Sequence, residues 1–170
     1  IAPLPTEANI YLAWQLHQAG RDEEARSRLQ WTLDLNPDFW AAHWGLGHVN
    51  LAEGHLQEAI AAFRRAVATG GGYVMPLQGL GHALAVAGER DAALAILAQL
   101  EELGRAQYVS PCVPAVIHAG LGDRGRCFAC LEQAFQLRSR SLAWLCCARE
   151  YAGMQADPRF VSLLRRIGIP

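Results

Sequence analysis

Three histidines are the residues whose spacing first suggests chemistry. His48 and His82 lie 34 residues apart, and His17 lies 31 residues before His48. Histidines on one helical face could bind a transition metal or change charge near pH 6.5. No acidic or cysteine ligand accompanies them at helical spacing, and neighbouring helices pack roughly 10 Å apart. We therefore expect hydrogen-bonding histidines and no metal, although their protonation could tune the affinity of an acidic or apolar partner.

Five cysteines in the last third of the chain offer a second possible chemistry: Cys112, Cys127, Cys130, Cys146 and Cys147. The Cys127-x-x-Cys130 pair stands alone, whereas zinc sites of this kind need a second pair of ligands. Cys146 and Cys147 are adjacent and would point in different directions from a helix. We expect free, mostly buried thiols, which favour a reducing compartment and hence a cytoplasmic protein.

Catalytic and cofactor-binding patterns are missing from the sequence. The glycine run 70–72 has no strand before it and no lysine after it, so it does not match a phosphate-binding loop. No nucleophile elbow or paired-carboxylate site stands out. We therefore predict a protein that is not an enzyme and that carries no cofactor.

Composition indicates a folded chain without a nucleic-acid or membrane surface. Of the 170 residues, 52% are hydrophobic and 18% are charged, and the net charge is −1. Basic residues form no patch for nucleic acid, and no apolar run approaches the roughly 20 residues of a membrane span. The amino terminus has neither a signal-peptide pattern nor an initiator methionine. We expect a fragment or a processed chain.

A pattern of small and large apolar residues recurs with a period of 34 residues. The glycine of a predicted inter-helix turn recurs as Gly20, Gly54, Gly88 and Gly122. The small residue of the following helix recurs as Ala25, Ala59, Ala93 and Cys127. A large apolar residue four positions later recurs as Leu29, Phe63, Leu97 and Leu131. The residue pair of the preceding helix recurs as Leu12-Ala13, Leu46-Gly47 and Leu80-Gly81, and the second copy adds Ala66.

This spacing resembles the tetratricopeptide repeat (TPR) family over about residues 6 to 141. The resemblance implies an all-α fold, a right-handed α-solenoid of four helix-turn-helix hairpins followed by C-terminal capping helices. The repeats would span about 6–39, 40–73, 74–107 and 108–141 of a single domain, with a capping segment at 142–170.

Local signals place several helix ends. We expect Thr6 to cap the first helix, which runs to about Ala19. The fourth repeat should begin with a short or distorted helix from Pro111 to Ala119. A helical turn is expected over residues 142–147, and Asp157 should cap a last helix from 159 to 167. The second helix of the third repeat, about 90–103, is apolar on nearly all sides, which predicts burial between its neighbours.

The carboxy-terminal part has a narrower resemblance. Its segments are similar to the repeat block that follows DNA-binding, kinase or cyclase domains in bacterial multidomain regulators; they are residues 108–111, 120–123, 131–134 and 157–160 with Leu163 and Leu164. This resemblance implies the C-terminal module of a larger bacterial regulator.

The family fold also implies a concave groove lined by the first helix of each repeat. The side chains expected there are mostly aromatic, aliphatic or histidine: Tyr11, Trp14, His17, Trp44, His48, Leu51, Met75, Gln78, His82 and Val113. The groove has no lysine, so we reject the lysine, asparagine and arginine clamp that one family member uses for a terminal carboxylate. Each tryptophan could instead be a packing residue.

We therefore predict a protein–protein interaction scaffold that binds a peptide or protein segment with bulky apolar side chains. Two alternatives remain, a homo-oligomerisation module and, more remotely, a small-ligand sensor.

Overall fold

The computed structural model describes residues 5–146 and 148–169, and these residues contain helices and no strand. The all-α prediction is confirmed. The α-helices are α1 Thr6–Gln18, α2 Asp22–Leu35, α3 Trp40–Ala52, α4 Leu56–Thr69, α5 Val74–Val86, α6 Arg90–Ala106, α7 Cys112–Gly120, α8 Arg124–Gln136 and α9 Pro158–Arg166. Two 3-10 helices, Arg140–Trp144 and Arg149–Met154, lie between α8 and α9. The chain divides into two compact units, Ile1–Ala83 and Leu84–Pro170.

The first unit contains two helical hairpins, α1 with α2 and α3 with α4, and the amino-terminal part of α5. Gly20 and Gly54 stand just beyond α1 and α3 with φ of 74° and 81°. Their N–H groups and those of the next residues bond back to the last turn of the helix, as in the Schellman motif. Only glycine adopts this left-handed conformation without steric cost, which is why a glycine recurs in each turn.

Alanine, leucine and valine side chains form the core between the two hairpins. The buried residues there are Ala13, Leu16, Ala25, Leu29, Leu33, Ala42 and Val49. Ala25, Ala42 and Val49 are completely inaccessible to solvent. Because alanine lets helix backbones approach closely, α1, α2 and α3 pack through these positions.

Phe63 of α4 fills the site between successive repeats. A methyl group added to Gly47 of α3 would meet its ring at 2.6 Å, and one added to Gly79 of α5 would meet it at 2.3 Å. The ring is therefore held between two glycines and is completely buried. Leu29 has the same relationship to Gly45 one repeat earlier, where an added methyl group would lie 2.7 Å away.

The second unit is built around the α7–α8 hairpin. Its core joins that hairpin to both 3-10 helices and α9 through Val116, Leu131, Leu142, Tyr151 and Phe160. The short helix α7 has nine residues, close to the predicted 111–119. It begins after Pro111, and Pro114 still falls in its first turn, where proline breaks no hydrogen bond.

The structure corrects two predictions of local structure. Thr6 is the first helical residue of α1, Pro5 precedes it in the cap position, and no side chain caps this helix. In α6, only Ala93 and Leu100 are buried, so this helix has one buried stripe and not the nearly all-round burial that its apolar sequence predicted.

In the capping segment, Asp157 caps the last helix as predicted, and a 3-10 helix that was not predicted is also present. The carboxylate of Asp157 accepts a hydrogen bond from the Arg159 N–H at 3.0 Å and caps α9. The predicted turn over 142–147 corresponds to the first 3-10 helix, Arg140–Trp144, although Cys147 lies outside the described residues. The second 3-10 helix, Arg149–Met154, was not anticipated.

Candidate partner-binding surface

Four of the side chains predicted for the groove, Trp14, His17, Trp44 and His48, form an aromatic cluster on α1 and α3. The Trp14 and Trp44 ring centroids are 4.7 Å apart at an interplanar angle of 30°. The His48 ring is nearly perpendicular to both, with its centroid 5.3 Å from that of Trp14 and 4.6 Å from that of Trp44. Offset and edge-to-face arrangements at these distances are favourable because the ring quadrupoles attract.

The cluster rests on the inter-repeat site. His48 lies over the completely buried Phe63 in an edge-to-face arrangement, with centroids 5.1 Å apart. His17 lies 6.2 Å from His48 and 5.6 Å from Trp14. The packing that fixes Phe63 therefore also fixes the position of the rings above it.

His17 is positioned by an acidic residue that the sequence reasoning did not pair with it. Its Nδ1 lies 2.5 Å from Asp22 Oδ1, and the His17 side chain is almost fully buried. Asp22 is the first residue of α2, where the helix dipole favours a negative charge. The signal in the sequence was the tight Gly20 turn, which brings the end of α1 next to the start of α2.

Burial separates the cluster into a floor and an accessible layer. Trp44, His48 and His17 are 9%, 8% and 4% exposed, so they form the floor. Trp14, which packs against Trp44, is half-buried and forms the accessible layer; Tyr11, three residues earlier on α1, is 65% exposed. Of the two roles that the sequence left open for Trp44, burial favours packing. The enclosed space between α1, α2 and α3 is only about 10 Å³, room for about one water molecule.

The other predicted groove residues differ in accessibility. Met75 on α5 is 46% exposed, whereas Gln78 and Leu51 are half-buried. His82 is buried, and in the second unit Val113 is buried as well. The Trp40 and Tyr73 rings stack with their centroids 4.7 Å apart.

The remaining predicted structural positions lie mostly in the interior. Gly47, Ala59, Ala66, Leu80, Gly81 and Leu131 are buried, and Leu46 is half-buried. Gly88 and Gly122 repeat the left-handed turn conformation, with φ of 81° and 73°.

The four cysteines in the described part of the chain are free, and burial makes three of them poor nucleophiles. Burial raises the pKa of the Cys127 thiol to about 12, and it also raises the pKa values of Cys112 and Cys130. Because a thiol must lose its proton to act as a nucleophile, these three stay unreactive near neutral pH. Cys146 is exposed, and Cys147 lies outside the described residues.

Within residues 5–146 and 148–169, no group of three or more histidine, cysteine or acidic side chains is arranged to hold a metal ion. In the same part of the chain, no helix is both long and apolar enough to cross a membrane.

Consecutive helical hairpins with left-handed turn glycines, small residues at the helix contacts and one large apolar residue between hairpins define an α-helical repeat protein. Residues 12–73 match the family model of the tetratricopeptide repeat. This part of the chain is similar to tetratricopeptide repeat proteins, whose fold serves as a scaffold for protein or peptide partners.

Two solved structures have a similar fold. The first is YrrB, described as a TPR protein with an unusual peptide-binding site; it is 19% identical, the match covers 93% of this chain and 82% of YrrB, and the TM-score is 0.54. The second is TTC0263, a thermophilic TPR protein of Thermus thermophilus; it is 22% identical, the match covers 95% of this chain and 89% of that one, and the TM-score is 0.66. Among curated proteins, none matches the chain.

Proposed function

We propose that this chain is an interaction scaffold that binds a peptide or protein segment across the aromatic surface of α1, α3 and α5 in the first unit. The observation that carries the proposal is the half-buried Trp14 ring, which packs on a buried floor of Trp44 and His48, with the exposed Tyr11 three residues earlier on α1. A rigidly supported aromatic side chain loses little conformational freedom on binding, so it can anchor a partner.

The chemistry of this surface favours bulky apolar side chains in the partner. Trp14 has one face against Trp44, and Tyr11 and Met75 add exposed apolar area. YrrB, of similar fold, has a peptide-binding site, and we extend peptide binding to this chain by proposal. The water-sized cavity below the rings favours a partner bound on the surface over an enclosed small ligand.

The resemblance of the carboxy-terminal part to repeat blocks of bacterial regulators bears on the larger protein to which this chain belongs. We infer that the chain is the C-terminal module of a larger bacterial regulator and that it works in the cytoplasm. Free thiols at Cys112, Cys127 and Cys130 support a reducing compartment.

The test is a pull-down from lysate of the source cell, followed by a measured affinity for each recovered protein. Tyr11→Ala and Trp14→Ala should each weaken binding by at least about tenfold if these side chains are anchors. Two matched controls are exposed residues of the same type outside this surface, Tyr108→Ala and Trp31→Ala, which should leave binding unchanged. Circular dichroism should show wild-type helix content for all four variants.

If the test and control variants lost binding affinity equally, the aromatic surface would not be the binding site. If the wild-type chain recovers only copies of itself, and light scattering shows a molar mass that rises with concentration, the homo-oligomerisation alternative replaces the proposal.

A further inference from the structure

The second unit contains an open cleft between α8, the first 3-10 helix and α9. Its volume is about 620 Å³, which lies within the usual range of ligand-binding clefts. The apolar part of its lining comes from Phe135, Leu142, Ala143, Ile167 and Ile169. None of these residues belongs to the surface of the proposed function.

Three arginines share this lining, and two of them lack an acidic partner. Arg166 donates to both carboxylate oxygens of Glu132, at 2.7 and 2.8 Å, so its charge is balanced. Arg138 and Arg140 also line the cleft, and neither forms an ion pair with any residue in 5–146 or 148–169. The cleft therefore combines two uncompensated guanidinium groups with an apolar wall.

The backbone conformation of Arg138 is a second, independent feature of this cleft. The α8 helix ends in a Schellman motif, with Arg138 N–H bonded to Phe135 O at 3.0 Å and Ser139 N–H bonded to Ala134 O at 2.9 Å. Arg138 occupies the left-handed position with φ of 51°, and it is the single non-glycine residue with positive φ in the described part of the chain. The same motif ends five other helices with a glycine, namely Gly20, Gly54, Gly88, Gly122 and Gly168.

An arginine in a left-handed conformation is disfavoured relative to glycine, so its presence at this helix end has a steric cost that a function can explain. A planar guanidinium beside apolar side chains suits a carboxylate whose neighbour is apolar. Nucleic acid fits less well, because the wall is largely apolar and the whole chain carries a net charge of −1.

We propose that this cleft is a second docking site, which binds an acidic peptide segment with a carboxylate side chain next to a bulky apolar one. The carboxylate contacts Arg138 and Arg140, and the apolar side chain lies against Leu142 and Ile167. This site is separate from the aromatic surface of the first unit, so either proposal can fail without the other.

The test uses the whole chain and two fluorescent probe peptides, one of alternating glutamate and leucine and one with glutamine replacing glutamate. Fluorescence anisotropy should give at least about tenfold tighter binding of the acidic probe, and that preference should shrink as salt rises. Arg138→Gly and Arg140→Gln should each weaken binding of the acidic probe by about tenfold. Arg165→Gln, at an exposed arginine of α9 outside the cleft, should leave the binding unchanged.

Arg138→Gly also separates binding from folding. Glycine relieves the left-handed conformation, so the thermal unfolding midpoint of this variant should rise while its affinity falls. Equal affinity for both probes, no binding by the wild type, or unchanged affinity in both arginine variants would overturn the proposal. Tighter binding of a single-stranded oligonucleotide at the same arginines would also overturn it and reassign the cleft to nucleic acid.

Discussion

Arg166 lies over the ring of Phe135, with its guanidinium carbon 4.1 Å from the ring centroid. Seven residues earlier on both helices, Arg159 lies over Phe128 at 4.0 Å. Two turns of α9 are thus attached to two turns of α8 by the same cation–π contact. The Arg166 hydrogen bonds also lower the pKa of Glu132, because they stabilise its carboxylate.

Arg166→Ala should lower the urea midpoint of unfolding of the second unit by a small but measurable amount. The substitution removes a cation–π contact and a bidentate ion pair together, although solvent screens both. Urea unfolding followed by circular dichroism measures the change. The neighbouring Arg165→Ala should leave the midpoint close to that of the wild type, and a shift equal to that of Arg166→Ala would contradict the stacking argument.

Phe63→Ala should cost about 3–5 kcal/mol of unfolding free energy, because it empties a completely buried site between repeats. Phe63→Leu should cost less, about 1 kcal/mol, because Leu29 occupies the equivalent position one repeat earlier. Urea unfolding curves of the two variants and the wild type provide the measurement. If alanine and leucine were equally tolerated, the ring would not be the residue that joins these repeats.

Gly79→Ala should destabilise the first unit by about 1–3 kcal/mol, even though alanine is the better helix former. The added methyl group would lie 2.3 Å from the Phe63 ring, and that ring cannot move away because Gly47 holds its other side. Gly104→Ala is the matched control on α6, since nothing lies within 4 Å of its added methyl group. Thermal unfolding should show a lower midpoint for the first variant and an equal or higher midpoint for the control.

Asp157 makes the stability of the second unit depend on pH in acid. Hydrogen bonds from the Arg159 side chain and backbone lower its pKa from an ordinary 3.8 to about 2. Because the folded-state value is the lower one, the stabilisation is complete above about pH 4 and is lost as the pH falls through about 2. Asp157→Asn keeps a capping oxygen but removes the charge. The variant should therefore be less stable than the wild type above about pH 4, and this difference should shrink as the pH falls to about 2.

Unfolding free energies at a series of acid pH values measure that deficit. Asp91→Asn is the control, since Asp91 forms no ion pair in the described part of the chain. A deficit for Asp157→Asn that stays constant between about pH 4 and about pH 2 would contradict the role of the charge.

The repeat architecture could be predicted from the sequence because its causes are local and periodic. Gly20 and Gly54 mark turns that only a left-handed residue can make, and the 34-residue spacing sets the order of the helices. Neither signal depends on how far apart two helices finally lie. Thr6 was misassigned as a cap because α1 already begins at Thr6, and Pro5, whose ring fixes its φ, stands in the cap position.

The sequence by itself determined that this chain is an all-helical repeat scaffold with aromatic and histidine side chains on the first helices. Only the tertiary structure decided which of them a partner can reach. Helical spacing predicts both Trp14 and Trp44 for the groove, but the packing of the helices leaves Trp14 half-buried and buries Trp44. The pairing of His17 with Asp22 and the arginine-lined cleft likewise depend on contacts between helices, because distance in space is not encoded in the spacing along one helix.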